Sequence, residues 1–139
     1  MALPSIGGGR QVGDGNLNEP ILGTCPAPAT ATGDATLTAA QITNGILLGS
    51  PGSSAAAYTL PTVATLEASL TNAAKVGSCF DFTVVNVDGS GSGVITITTN
   101  TGWTITSQGL MTVAAVAGTA QSYRARKTGE GTWRLYRLA

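Results

Sequence analysis

Histidine is absent from all 139 residues of the chain. Its absence removes the Ser-His-Asp and Cys-His catalytic arrangements, histidine metal sites and the commonest general base. The glycines of GGGRQVGDGN (7–16) are not followed by a strand-to-helix turn, so they match neither a P-loop nor a dinucleotide fingerprint. In DGSGSG (88–93), serines stand where a calcium loop needs carboxylates. We therefore expect no enzymatic activity, no metal and no cofactor.

Charged residues are also scarce, at 10% of the chain, and the seven basic and seven acidic residues cancel. No net field draws the chain to nucleic acid or to an anionic membrane, so neither is expected as a partner. From residue 120 onward, however, five basic residues stand against one acid, whereas residues 1–119 hold two bases and six acids. Such a dipolar chain suits packing against copies of itself or against a larger partner of complementary charge.

Cysteines are limited to Cys25 and Cys79, too few for a disulfide framework and too far apart for a zinc knuckle. A single disulfide between them is one alternative, but we expect two small, mostly buried thiols in a reducing compartment. No apolar run of about 18 residues is present, and the start MALPSIGGGR lacks the layout of a secretion signal. We expect a protein that is made in a cytosol and leaves it only as part of something larger.

Organisation changes near residue 30. Residues 1–29 are rich in glycine and proline and hold four of the six prolines, with little periodicity. We interpret them as an extended N-terminal arm that cannot bury enough apolar surface to order itself, and that is either mobile or laid on a neighbouring subunit. Residues 30–139 are threonine-rich and β-branched, and their length suits a single all-β domain.

Alternation of apolar and polar residues predicts about eight short strands in this domain. The strongest is CFDFTVVNV (79–87), in which Phe80, Phe82 and Val84 share the inner face. Further strands are predicted at 35–38, 46–50, 56–60, 94–99, 103–107 and 110–116, with a final pair in the last 18 residues. Short strands at intervals of about ten residues are typical of a sandwich, a jelly roll or a small barrel.

One helix is predicted near 62–71. Thr62 follows Pro61 as an N-cap, and Val63, Leu66 and Leu70 fall on one face at helical spacing. AQITNG (40–45) is predicted to be a turn or a single helical turn. These elements do not change the all-β class.

The C-terminal stretch SYRARKTGEGTWRLYRLA (122–139) sets arginines beside aromatics. This pattern occurs in nucleic-acid grips, but it also occurs wherever two half-buried strands alternate their faces. Ser122, Arg124 and Arg126 would share one face, and Tyr123, Ala125 and Lys127 the other, so we favour a structural hairpin. The candidate residues for contact with a capsid or another subunit are Arg124, Arg126, Lys127, Arg134 and Arg137.

Four stretches together resemble the cement, or decoration, proteins of tailed bacteriophage heads: TGDATLTAAQITNGILLGSP, YTLPTVATLEASL, VGSCFDFTVVNV and YRARKTGEGTWRLYRL. The resemblance runs from about Thr30 to the C-terminus and does not include the arm. It implies a jelly-roll-like domain that forms a homodimer or homotrimer on the outer surface of the virion and fastens neighbouring major capsid proteins. It carries over no catalytic residues.

Two other functions remain open. A phage fibre or receptor-binding domain would be expected to show further repeats or a long shaft, and the sequence shows neither. A carbohydrate-binding β-module would need an aromatic-floored pocket, for which Trp103 or Trp133 is available. A tryptophan in a strand is more often part of the core, which disfavours that alternative.

Overall fold

The computed structural model describes residues 23–70, 75–88, 92–107 and 111–138. Most of the predicted arm and part of the DGSGSG stretch lie outside these residues. The arm therefore stays a prediction, although residues 23–28 are exposed and belong to no helix or strand. No helix in the described part of the chain is long and apolar enough to cross a membrane.

The described residues form ten strands, two short helices and two sheets, so the predicted all-β class is confirmed. The strands are β1 (Ala29–Thr32), β2 (Ala35–Thr36), β3 (Ile46–Ser50), β4 (Ala56–Thr59), β5 (Cys79–Asn86), β6 (Ile95–Thr98), β7 (Trp103–Ile105), β8 (Thr112–Val113), β9 (Ala120–Gly129) and β10 (Thr132–Arg137). The helices are α1 (Ala39–Thr43) and α2 (Val63–Ser69). The large sheet has the order β1-β3-β5-β9-β10-β7, and the small sheet has the order β2-β4-β6-β8.

The first six strands form three successive turns of the chain, and each turn follows the same path. Each turn places one strand in the large sheet and the next in the small sheet, so β1, β3 and β5 stack in parallel, and β2, β4 and β6 do the same. In-register rows cross the turns: Ala29 lies beside Leu47, which lies beside Val84. The structure thus contains a short internal repeat that the sequence did not reveal.

The two helices close the first and second turns in the same way. Thr38 and Thr62 are N-caps whose side chains accept a hydrogen bond from the third helical residue, and at Thr38 the Gln41 side chain completes a capping box. Each helix then buries its first and fourth residues. This confirms the helix predicted near 62–71 and the helical turn predicted at 40–45.

The core lies between the two sheets and under the helices. Phe82, Val84, Ile95, Ile97 and Leu66 are all at most 1% exposed, as the alternation predicted. Phe80 is only partly buried, because it packs at the border of this core. The predicted inner face of 79–87 is therefore confirmed.

The jelly-roll detail is not confirmed. Five of the eight pairings among the described strands are parallel, whereas a jelly roll is built from antiparallel strands. The strands also number ten and not eight within these residues. Alternation gives the faces of a strand but not the direction of its neighbour, which explains the difference.

The expectation of two buried thiols is wrong. Cys25 and Cys79 are both free and exposed. Cys79 begins β5 on the same side as Asp81, which is the solvent side of the large sheet. Its position follows from the period of two along the strand, since the inner side is taken by Phe80 and Phe82.

Candidate protein-binding face

The C-terminal hairpin is formed by β9 and β10, joined by a turn at 129–131 in which Gly131 has a positive φ of 61°. The register shifts between Thr132 and Trp133, and beyond this point Arg134 lies opposite Arg126 and Tyr136 opposite Arg124. The other edge of β9 pairs with β5, so that Arg126 also lies beside Cys79 and Arg124 beside Asp81. The predicted hairpin is confirmed.

The faces of this hairpin follow the predicted alternation. Tyr123 and Ala125 are fully buried, whereas Arg124 and Arg126 are exposed. In β10, Trp133 and Leu135 face the core, and Arg134 lies on the outer side. Three of the five candidate contact residues therefore share the outer face of the large sheet.

Lys127 does not belong to that face, and its role as a contact residue stays a prediction. It is only 9% exposed, and its ammonium donates a hydrogen bond to Glu67 of α2. The same carboxylate oxygen accepts a hydrogen bond of 2.9 Å from the indole Nε1 of Trp133. The hydrogen bond from Lys127 lowers the pKa of Glu67, and the hydrogen bond from Trp133 lowers it to a smaller extent. Lys127 thus joins α2 to the large sheet inside the fold.

Arg137 is exposed at the end of β10 and lies opposite Tyr123 in the register, on the other side of the strand from Arg134. The five candidates are consequently divided among the outer face, the end of a strand and the interior. Sequence reasoning grouped them because they are close along the chain. The alternation already predicts Lys127 on the opposite face of its strand from Arg124 and Arg126, as the structure shows.

Arg124 is already neutralised. Its Nε and Nη2 atoms donate to the two oxygens of Asp81 at 2.7 and 2.8 Å. Both side chains of this ion pair are about half exposed. The hydrogen bonds from Arg124 lower the pKa of Asp81. A bidentate arrangement holds both groups in place and leaves Arg124 little capacity for another acid.

Arg126 and Arg134 have no such partner. The side chain of Arg126 makes no ion pair within the described ranges. Arg134 donates from Nη2 to Thr106 Oγ1 at 3.1 Å, and its guanidinium carbon lies 5.7 Å from the ring centroid of Tyr136. Its Nε is buried and has no hydrogen-bond partner among the described residues. Arg126 and Arg134 are therefore paired in the register without a carboxylate partner in the described ranges, and the Arg134 side chain leans towards Thr106 on the β7 side.

Towards the other end of β5, beyond the Arg124–Asp81 pair and the Thr83–Ser122 hydrogen bond, the outer face of β3 and β5 becomes an aliphatic half. Leu48 lies beside Val85 in the register, and both are partly exposed. Ile46 is 45% exposed and Val87, just beyond β5, is 49% exposed. We call the set formed by Arg126, Arg134 and these four aliphatic residues the docking face. Sequence reasoning missed its aliphatic half, although the consecutive apolar residues of ILL (46–48) signal a strand with apolar side chains on both sides.

The opposite surface, on the small sheet, is covered by hydroxyl groups. Thr36, Thr59 and Thr98 form one row across three strands, with 2.9 Å between the hydroxyls of Thr59 and Thr98. A shallow, open depression of about 300 Å³ is lined there by Asp34, Ala35, Thr36, Ala57 and Thr59. No aromatic side chain lines this depression.

Neither tryptophan forms the floor of a sugar site. Trp103 is 7% exposed and donates to the carbonyl of Pro61 at 2.7 Å, and Trp133 is 1% exposed. Both belong to the core, as expected for tryptophans in strands. Among the described residues, no group of three or more Cys, Asp and Glu side chains comes together as a metal site would require.

Comparison with protein families, with characterised proteins and with solved structures finds no match to this chain.

Proposed function

We propose that this chain is a non-catalytic structural protein of a tailed-phage virion, which binds the outside of the capsid and fastens neighbouring major capsid proteins. The resemblance of four sequence stretches to phage cement proteins first points to this role. The docking face is the observation that carries it, because it offers a protein partner both exposed aliphatic surface and uncompensated cationic groups.

Interfaces between proteins characteristically combine a less polar centre with arginine and tyrosine residues. The docking face has this composition, with Tyr136 lying next to Arg134. A capsid presents the same surface many times, so modest affinity at each contact suffices once several copies are linked. We propose that this linkage comes from a homodimer or homotrimer. The jelly-roll shape is not required for this role.

The decisive experiment is co-sedimentation of the full chain with assembled phage particles. We expect binding to particles and not to free major capsid subunits, because a cement protein spans neighbouring subunits. Electron microscopy of the pelleted particles should then show added density on the outer capsid surface. Binding to free subunits alone, or density on the tail alone, would contradict the proposal.

A phage fibre or receptor-binding domain is a second candidate, and one observation favours it. The three stacked parallel turns of β1 to β6 form an internal repeat, and stacked repeats extend along one axis, which suits an elongated appendage. The same microscopy separates the two roles, because a fibre domain would be located on a projecting appendage. The carbohydrate-binding alternative lacks comparable support, since both tryptophans are buried.

A further inference from the structure

We propose that residues 13–18 of the N-terminal arm add one further turn to the stack formed by β1 to β6, and pair with the free edge of β2. The occupant of this edge is the chain's own arm, of which residues 1–22 lie outside the described part of the chain. The inference does not depend on the proposed function.

The stack of turns is closed at one end and open at the other. At the closed end, β5 pairs with β9 and β6 pairs with β8, both in the antiparallel sense. At the open end, β1 and β2 are the edge strands of the large and the small sheet. An edge strand directs backbone N–H and C=O groups away from its sheet, and these groups can pair with another strand.

The two open edges are not equivalent. On β1, the outward carbonyl of Thr30 accepts a hydrogen bond of 2.6 Å from the side chain of Gln41. After β2, the backbone of Leu37 donates to Thr59 of β4, so the N–H and C=O of Thr36 point away from β4. We therefore assign the edge of β2, and not that of β1, as the place where a further strand pairs.

Side chains at the open end are also less well covered. In the small sheet, Ala35 lies beside Tyr58, which lies beside Ile97. Tyr58 and Ile97 are at most 1% exposed, whereas Ala35 is only partly buried. In the large sheet, Ala29 is likewise partly buried beside the fully buried Leu47. The first row of each sheet therefore has apolar surface that one more turn would cover.

Four residues have defined roles in the first turn, GDATLT (33–38). Gly33 has a positive φ of 57°, which glycine adopts without strain. Asp34 Oδ1 accepts a hydrogen bond of 2.8 Å from the backbone N–H of Ala57 in the next turn. Leu37 is 2% exposed, and Thr38 is the N-cap of α1.

The arm contains the same pattern in GDGNLN (13–18). Glycine, aspartate and leucine occupy the same positions, and Asn18 stands where the first turn has Thr38, at a position that favours both residue types as N-caps. In the proposed turn, Gly13 forms the bend, Asp14 accepts from the backbone of the first turn, and Leu17 faces the core. The arm thus has the residues that this path requires.

The length of chain between the arm and β1 also fits. Nine residues (37–45) join β2 to β3, and 19 residues (60–78) join β4 to β5. With residues 15–16 in the place of a strand like β2, 12 residues (17–28) lead to β1. The chain already approaches β1 along the path of the next turn, because Asn44, just before β3, donates to the carbonyl of Ala27, just before β1, at 3.4 Å.

Amide hydrogen exchange of the full chain, measured by nuclear magnetic resonance, tests the pairing. We expect the Thr36 amide to exchange slowly, because the arm accepts its hydrogen bond. Gly13→Val should speed this exchange by about tenfold or more, because valine disfavours a positive φ. Gly8→Val, in the arm but outside the repeat, is the matched control and should leave the exchange unchanged. A Thr36 amide that exchanges freely in the unsubstituted chain, or equally slowly in Gly13→Val, would overturn the proposal.

A second measurement identifies the chain that supplies the turn. We expect nuclear Overhauser effects between the methyl groups of Leu17 and those of Ala35 and Leu37. In a mixture of ¹³C-labelled and unlabelled chains, these effects should be confined to single chains, and effects between chains would assign the turn to another copy and overturn the proposal. Leu17→Ala should lower the midpoint of thermal unfolding, whereas Leu3→Ala should not, and equal midpoints would contradict a buried Leu17. None of these results involves phage particles, so the capsid role stands or fails separately.

Discussion

Replacing Glu67 by alanine would remove the acceptor shared by two donors from the large sheet. Lys127 and Trp133 both donate to the same oxygen of Glu67, and the side chain of Lys127 is only 11% exposed. The substitution would leave a mostly buried ammonium and a buried indole N–H without their acceptor. Glu67→Ala is therefore a test of whether this contact holds α2 against the sheet.

The expected magnitude follows from the burial of each donor. A hydrogen bond to a charged group contributes about 1.5–3 kcal/mol, and a buried donor left unsatisfied costs about 1–3 kcal/mol. Because Lys127 retains some access to water, the lower ends of these ranges apply. We expect Glu67→Ala to reduce the free energy of unfolding by roughly 3 kcal/mol.

The partner substitution Lys127→Met provides the matched comparison. Methionine retains much of the apolar stem of lysine, and Glu67, whose side chain is 29% exposed, can still accept from Trp133 and from water. We expect a loss of about 1 kcal/mol or less, because no buried charge is left without a partner. The two substitutions should thus be unequal, and the double variant should resemble Glu67→Ala with part of its loss restored.

The pH dependence gives an independent measure of the same contact. Folding lowers the pKa of Glu67, so its carboxylate contributes stability above the unfolded pKa of about 4.3. This contribution is lost as the pH falls through the lower folded pKa. The pKa of Asp81 is lowered in the same direction, so the comparison must be with Glu67→Gln, which keeps the Asp81 contribution.

Urea unfolding of the unsubstituted chain and of these four variants, at pH 7 and at a series of pH values down to 3, would provide these numbers. We expect the stability difference between the unsubstituted chain and Glu67→Gln to shrink as the pH falls below about 4.5. Two results would refute the reasoning: a loss in Lys127→Met equal to that in Glu67→Ala, or a stability difference that does not change with pH.

Three further predictions concern the core, one close approach and the docking face. Phe82→Ala should cost on the order of 3 kcal/mol or more in urea unfolding, because Phe82 is 1% exposed, and a near-neutral effect would contradict its place in the core. Gly49→Ala should cost about 1–3 kcal/mol, since an added Cβ would lie 2.5–2.9 Å from atoms of Ile95 and Tyr58, and full stability would show that these side chains can move aside. Particle binding should weaken as salt rises from low to about 0.15 M, where charges are screened over about 8 Å, and the Arg126→Glu variant should lose this dependence. Excess duplex DNA should not reduce the binding of the chain to particles.

Several local features could be predicted because neighbouring residues determine them. The helix at Thr62 follows from an N-cap and apolar residues at helical spacing, and the inner face of 79–87 follows from a period of two. The final hairpin and its two faces follow from the turn at 129–131 and from the same alternation. Each of these depends on contacts a few residues apart, so a single sequence contains the necessary information.

The docking face could be predicted only in part. Its two arginines were among the predicted contact residues, but the sequence does not show that Lys127 donates a hydrogen bond to Glu67, 60 positions earlier. Likewise, nothing in the sequence shows that Asp81 neutralises Arg124, since that pair depends on the β5–β9 register. The aliphatic half was missed because β3 and β5 become neighbours only in the folded sheet.

The sequence by itself determined the all-β class, the faces of the main strands, the start of α2 and the excess of basic residues at the C-terminal end. Only the tertiary structure decided that most strand pairs are parallel, that the chain completes three stacked turns, and which arginines lack an acid. The physical reason is that periodicity and capping are set by local backbone geometry. Strand order, register and charge pairing depend instead on which distant segments become neighbours, and a period of two fits a parallel or an antiparallel neighbour equally well.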